Sequence, residues 1–246
     1  MTDAPIQDIV LYLVATPIGE DADLSPRATR LLLEAKFVIG EEFRPLTTLL
    51  KRIGRPRLAT NPREPAELEI LNEHSKPEDV KFLADRVIAV HNAGGFTALM
   101  SDCGTPGFCD PGSALVAELR RRGHRASAAP GASALMCLLS LAGIRIDRFL
   151  FRGFLPASRE EREISMKEVS RETQPVVVMD TPYRLEKLLG ELASVMPHRI
   201  ATLGCDFTSE REVVLQGTLN ELVKKWSLRP DDQRKAEFMI LLHATK

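Results

Sequence analysis

Residues 96–100 form an apolar run that stops at Ser101-Asp102-Cys103-Gly104-Thr105-Pro106-Gly107-Phe108-Cys109-Asp110-Pro111-Gly112, and a helical pattern begins at Ser113. A buried strand that runs through such a loop into a helix belongs to an α/β sheet. In open sheets of that kind, the loops at the carboxyl ends of the strands hold the ligands. Three glycines and two prolines fix an unusual backbone path and let another molecule approach the main chain closely. Asp102 and Asp110 are the loop's only charges. The same composition also suits an ordinary turn, so the loop alone does not define a site.

The rest of the chain repeats the alternation. A continuous apolar run over 9–15 predicts a first buried strand that ends in Thr16-Pro17-Ile18-Gly19. Ser25 followed by Pro26 is a helix start: a capping hydroxyl, then proline in the first turn. Strands are predicted at 37–40, 95–100, 124–129, 175–180, 199–205 and 238–243. Helices are predicted at 44–53, 78–91, 113–122, from Ser133 to near Gly143, and at 158–172, 182–195 and 219–226. The first half predicts a mostly parallel sheet. A boundary near 128–131 divides the chain into an N-terminal α/β domain (1–129) and a C-terminal α/β domain (130–246). A cleft between two such halves is a favoured place for a small ligand.

Composition narrows the class. With 44% hydrophobic and 27% charged residues the 246-residue chain is an ordinary globular one. No apolar run approaches a membrane span, and the polar, acidic N-terminus lacks the features of a signal peptide. A cytoplasmic protein without a membrane partner is expected. The four cysteines form no C-x-x-C pair and have no zinc spacing to the histidines, so no metal is expected. Phosphate-cradling G-x-x-x-x-G-K-[ST], dinucleotide-binding G-x-G-x-x-G, G-x-S-x-G and H-E-x-x-H patterns are all missing. The net charge is −1, yet residues 44–63 carry Arg44, Lys51, Arg52, Arg55, Arg57 and Arg63 with no acid. A second basic run is Arg120-Arg121-Arg122-Gly123-His124-Arg125. Runs like these usually form a solvated face, but an acid-free stretch of this length also suits a polyanion.

The loops at predicted strand ends share a vocabulary. Ala15-Thr16-Pro17-Ile18-Gly19, Ser101-Asp102-Cys103-Gly104-Thr105-Pro106, Asp110-Pro111-Gly112, Pro130-Gly131-Ala132-Ser133-Ala134, the Asp-Arg-Phe-Leu-Phe-Arg-Gly-Phe-Leu-Pro stretch from Asp147, and the Glu-Phe-Met-Ile-Leu-Leu stretch from Glu237 occur in this order. Together they resemble the tetrapyrrole methylase superfamily and, within it, the branch of ribosomal RNA small-subunit methyltransferase I, of which this chain looks like a divergent member. The resemblance spans nearly the whole chain. It implies a two-domain α/β methyltransferase, usually a homodimer, with S-adenosyl-L-methionine in the cleft between the domains. It also implies, as substrate, a cytidine 2′-hydroxyl in the ribosomal RNA of the small ribosomal subunit.

Carried over by position, the resemblance gives Thr16, Pro17, Gly19, Ser101, Asp102, Cys103, Gly104, Thr105, Ser133, Ala134, Met179 and Asp180 as cofactor-binding residues. Glu42 and Asp102 are the candidate general bases for a hydroxyl acceptor, and Arg44, Arg52, Arg55, Arg57 and Arg184 the candidate substrate contacts. The chain departs from its relatives at three loops. Glu41-Glu42-Phe43-Arg44 replaces Glu-Asp-Thr-Arg, Met179-Asp180-Thr181-Pro182-Tyr183-Arg184 replaces Tyr-Glu-Ser-Pro-His-Arg, and Cys205-Asp206-Phe207-Thr208-Ser209 replaces Arg-Glu-Leu-Thr-Lys. These changes bear on the substrate more than on the cofactor. Two other readings stay open: a methylase acting on a tetrapyrrole or another small molecule, and a non-catalytic binding protein that keeps the fold.

Overall fold

The apolar runs that read as strands pair as two separate sheets. The computed structural model describes residues 9–54 and 67–245. The chain divides into two units, Met1–Ser133 and Ala134–Lys246.

In the first unit, strands β1 (Ile9–Val14), β2 (Phe37–Gly40), β3 (Glu67–Ile70), β4 (Thr97–Met100) and β5 (Arg125–Ala129) alternate with helices α1 (Pro26–Glu34), α2 (Phe43–Arg52), α3 (Pro77–Asn92) and α4 (Gly112–Arg121). All four strand pairings are parallel, in the order β3-β2-β4-β1-β5. A parallel sheet is covered on both faces, which is why β2 and β4 are buried at every position. Leucines of α1 and α2 pack on one face against Tyr12, Val14, Val38, Ala98 and Met100. Residues of α3 and α4 pack on the other against Val10, Leu11, Phe37, Ile39 and Leu99. The Ser25 hydroxyl accepts a hydrogen bond from the Ala28 amide at 3.1 Å, the cap expected from the sequence.

This winding sets the site. The helices after β1 and β2 lie on one face, and those after β3 and β4 lie on the other. β4 sits between β1 and β2. The chain therefore leaves β4 toward one face and leaves both its neighbours toward the opposite face. Such reversals open a crevice at the carboxyl edge of a sheet.

The second unit contains α5 (Ala134–Leu141), β6 (Leu150–Phe154), α6 (Arg159–Arg171), β7 (Val176–Met179), α7 (Leu185–Val195), β8 (Ile200–Cys205), β9 (Val213–Thr218), α8 (Leu219–Ser227) and β10 (Phe238–Leu242). The sheet order is β6-β7-β10-β8-β9; only β6 and β7 run parallel. β10 is the central strand and is buried throughout. Its neighbours pack with Leu185, Leu188, Leu192, Leu222 and Trp226 in one core.

Three strands, β3, β6 and β9, were not expected from the sequence. The helix expected from Pro182 starts as a 3-10 turn (Pro182–Arg184) before α7. Among the described residues, no helix is long and apolar enough to cross a membrane.

Candidate functional site

The turn after β1 and the loop after β4 are knitted to each other by their main chains. The Thr16 amide donates to the Gly104 carbonyl at 2.8 Å. The Thr16 hydroxyl donates to the Ser101 carbonyl at 3.1 Å, and the Ser101 hydroxyl donates to the Gly104 carbonyl at 3.0 Å. Thr16 and Ser101 are both buried. Gly104 has φ +86°, and an added Cβ would press on Ile18 at 3.3 Å, so the bridge requires glycine there. The Thr105 hydroxyl reaches the Ala132 carbonyl at 3.0 Å, which ties in the stretch after β5. The second half of the loop is held by Asp110. One of its oxygens accepts from the Gly107 amide at 2.6 Å and the other from the Gly112 amide at 2.8 Å. Asp110 thus fixes the loop's shape, a role that turn propensity alone did not reveal.

Asp102 occupies the crevice that the winding predicts. It lines a pocket of about 400 Å³ on the β1 side, with Thr16, Pro17, Gly19, Arg44 and Cys103. It also lines a pocket of about 250 Å³ on the β2 side, with Glu41, Glu42, His74 and Asp110. The larger volume lies in the usual range for a small-molecule site. Two crossed hydrogen bonds clamp the strand ends: the Glu42 amide donates to the Asp102 carboxylate at 3.3 Å, and the Asp102 amide donates to the Glu41 carboxylate.

Burial and the facing carboxylates of Asp110 and Asp102 push Glu41 up to about 7. Burial also raises Asp102. A desolvated cluster of carboxylates is electrostatically unsatisfied, so it either keeps a proton or takes a cation. Glu41 is the residue that sequence reasoning missed. Glu42 starts α2 with its side chain exposed and caps nothing, while Glu41 is half-buried. The available signal was that Glu41 directly follows the last residue of β2.

The structure brings Thr16, Pro17, Gly19, Ser101, Asp102, Cys103, Gly104, Thr105, Glu42, Arg44 and Arg52 together in the first unit. Arg52 is paired with Asp21, both half-exposed. Ser133 ends this unit, and Ala134 opens α5 in the second. Arg55 and Arg57 lie outside the described residues.

Met179, Asp180 and Arg184 belong to the second unit. Met179 ends β7. The Asp180 carboxylate is buried and fully engaged, accepting from the Arg162 guanidinium at 3.0 Å and from the Thr181 amide at 2.9 Å. Arg162, itself buried, also donates to Glu191 at 2.7 Å and to the Leu155 and Pro156 carbonyls. Asp180 therefore shapes the turn after β7 through Arg162. The Arg184 guanidinium approaches it at 3.9 Å.

Residues 10–223 match the tetrapyrrole (corrin/porphyrin) methylases. The chain is 36% identical over 218 residues to a ribosomal RNA small subunit methyltransferase I of Leptospira borgpetersenii serovar Hardjo-bovis, a match covering 87% of this chain and 81% of that one. Among solved structures, a diphthine synthase superposes with a TM-score of 0.67 at 20% identity, covering 95% of this chain and 89% of the other. A uroporphyrin-III C-methyltransferase from Thermus thermophilus, complexed with S-adenosylhomocysteine, gives 0.56 at 19% identity, covering 95% and 91%. The last two likenesses establish the shared fold. The chain belongs to the tetrapyrrole (corrin/porphyrin) methylases and is an S-adenosylmethionine-dependent methyltransferase.

Proposed function

We propose that this protein transfers a methyl group from S-adenosylmethionine to a ribose 2′-hydroxyl in the RNA of the small ribosomal subunit, working as a homodimer in the cytoplasm. The observation that carries the reading is Asp102, which stands between two pockets at the sheet's reversal point with Glu41 beside it. The relatives named as ribosomal RNA small subunit methyltransferase I supply the acceptor.

The residues fit the cofactor. The buried Thr16 and Ser101 hydroxyls brace the Ser101 loop through its own carbonyls, and the turn from Thr16 to Gly19 together with Asp102 and Cys103 lines the larger pocket. Backbone groups recognise a ribose and a base without side-chain entropy cost. The raised carboxylates of Asp102 and Glu41 suit a cation. When bound, S-adenosylmethionine supplies an electrophilic methyl group on a sulfonium. Asp102 neutralises positive charge in the larger pocket, and Glu41, with an affinity for protons centred near neutrality, accepts the proton that leaves the hydroxyl. A base tuned to the working pH contributes about 10²–10⁴-fold. Arg44 and Arg52, on the rim of the larger pocket, hold phosphates, Arg52 by exchanging its exposed pairing with Asp21.

Calorimetry with S-adenosylmethionine tests the cofactor half of this reading. Binding should release or absorb heat and stabilise the fold by about 2.7 kcal/mol at a hundredfold excess over the dissociation constant. Asp102→Asn should weaken it. No heat and no stabilisation of the wild-type protein would refute the assignment.

A further inference from the structure

The basic run at 120–125 is divided by the fold into two kinds of cation. Arg121 and Arg122 are already neutralised. The Arg121 guanidinium grips Glu118 with two hydrogen bonds at 2.8 and 2.9 Å, and Arg122 donates to the same carboxylate at 2.7 Å and to Asp85. These arginines hold Glu118 down to about 2. Arg120, near the end of α4, and Arg125, the first residue of β5, are exposed and meet no carboxylate among the described residues. With the half-buried His124 they border a groove of about 420 Å³ whose wall includes Leu13, Val116 and Ser127 and, among the described residues, contains no acidic side chain. Among the described residues β5 is an edge strand paired with β1 alone, so its outer amides face away from the sheet.

Exposed guanidinium groups, a hydroxyl and edge-strand amides around a groove whose described lining carries no acid are the chemistry of phosphodiester recognition. The groove runs along β5 as far as Ala128. Arg125 opens the strand, one strand length of roughly 16 Å from the carboxyl edge where methylation is proposed. We propose that this groove is a second RNA-backbone contact, which grips the substrate at a distance from the nucleotide that is modified. This rests on the ribosomal RNA reading above. It assigns the affinity for large RNA in part to Arg120 and Arg125, and to neither of the arginines between them.

Filter binding of the full-length protein to 16S ribosomal RNA and to isolated small subunits, from about 50 to 300 mM salt, tests the proposal. Losing two phosphate contacts should flatten the log–log salt slope by about 1.5 and weaken binding roughly 30-fold at 0.1 M salt. That is the expected result for Arg120→Gln/Arg125→Gln, with affinity for S-adenosylmethionine unchanged as the check on folding. Arg121→Gln, which removes an already paired charge, should stay within about twofold of wild type. A double variant with wild-type affinity and slope would overturn the proposal. So would an Arg121→Gln loss as large as that of the double variant, since net charge and not the groove would then be responsible. If the wild-type protein binds neither RNA, the ribosomal reading fails and the groove proposal with it.

Discussion

Replacing Glu41 by Gln should make the protein more stable and less active at once. Glutamine keeps an oxygen to accept from the Asp102 amide and removes the charge that burial, Asp110 and Asp102 oppose. A carboxyl raised from 4.5 to about 7 binds its proton more tightly in the folded state than in the unfolded one. Its contribution to stability is therefore fully present below about pH 4.5 and is lost as the pH rises through 7. At pH 8 the ionised side chain costs at most about 3 kcal/mol, which Glu41→Gln relieves; at pH 5 the relief falls below about 1 kcal/mol. Urea titrations of both proteins at the two pH values measure the difference directly. In parallel, wild-type kcat/KM should climb through pH 7, and the variant should lose about 10²–10⁴-fold. Equal stabilisation at pH 5 and pH 8 would show that the Glu41 carboxylate is not strained, and a variant of wild-type activity that it is not the base.

Three further outcomes follow from the packing. Arg162→Met leaves the buried Asp180 with only the Thr181 amide and the Arg184 guanidinium at 3.9 Å, so the urea midpoint of the variant should correspond to a loss of about 3 kcal/mol. Gly107→Ala places a Cβ 2.6 Å from Leu13 Cδ2 at φ +84°, and should cost about 1–3 kcal/mol and weaken S-adenosylmethionine in calorimetry by misshaping the loop. Ser25→Ala removes the cap of α1 and should cost about 1 kcal/mol in thermal denaturation without changing cofactor affinity.

What the sequence revealed and what it hid have the same physical origin. Continuous apolar runs such as those of β1, β4 and β10 were legible because strands buried on both faces need them. The three unexpected strands, β3, β6 and β9, all lie at sheet edges. An edge strand is half-solvated and tolerates the charges of Glu-Leu-Glu-Ile or the Arg-Gly of β6, which erase the apolar signal. The glycines and prolines of the 101–112 loop announced a site, and the resemblance named its cofactor. Which of the two adjacent carboxylates, Glu41 or Glu42, turns inward was not legible. It depends on how the backbone leaves β2 and on the distant Asp102, whose amide donates to Glu41 and whose carboxylate accepts from the Glu42 amide. Asp180 illustrates the opposite case, since its carboxylate is committed to an arginine on α6 that no local pattern connects with it.

Transfer of labelled methyl groups decides whether ribosomal RNA is the acceptor. The protein, labelled S-adenosylmethionine and small ribosomal subunits should be incubated together and the position of the label mapped on the RNA. Label is expected on a ribose 2′-oxygen of the 16S ribosomal RNA, with transfer by Asp102→Asn and Glu41→Gln both strongly depressed. Label that stays out of RNA and appears on a small molecule, or no transfer at all by a protein that binds the cofactor, would contradict methyl transfer to ribosomal RNA.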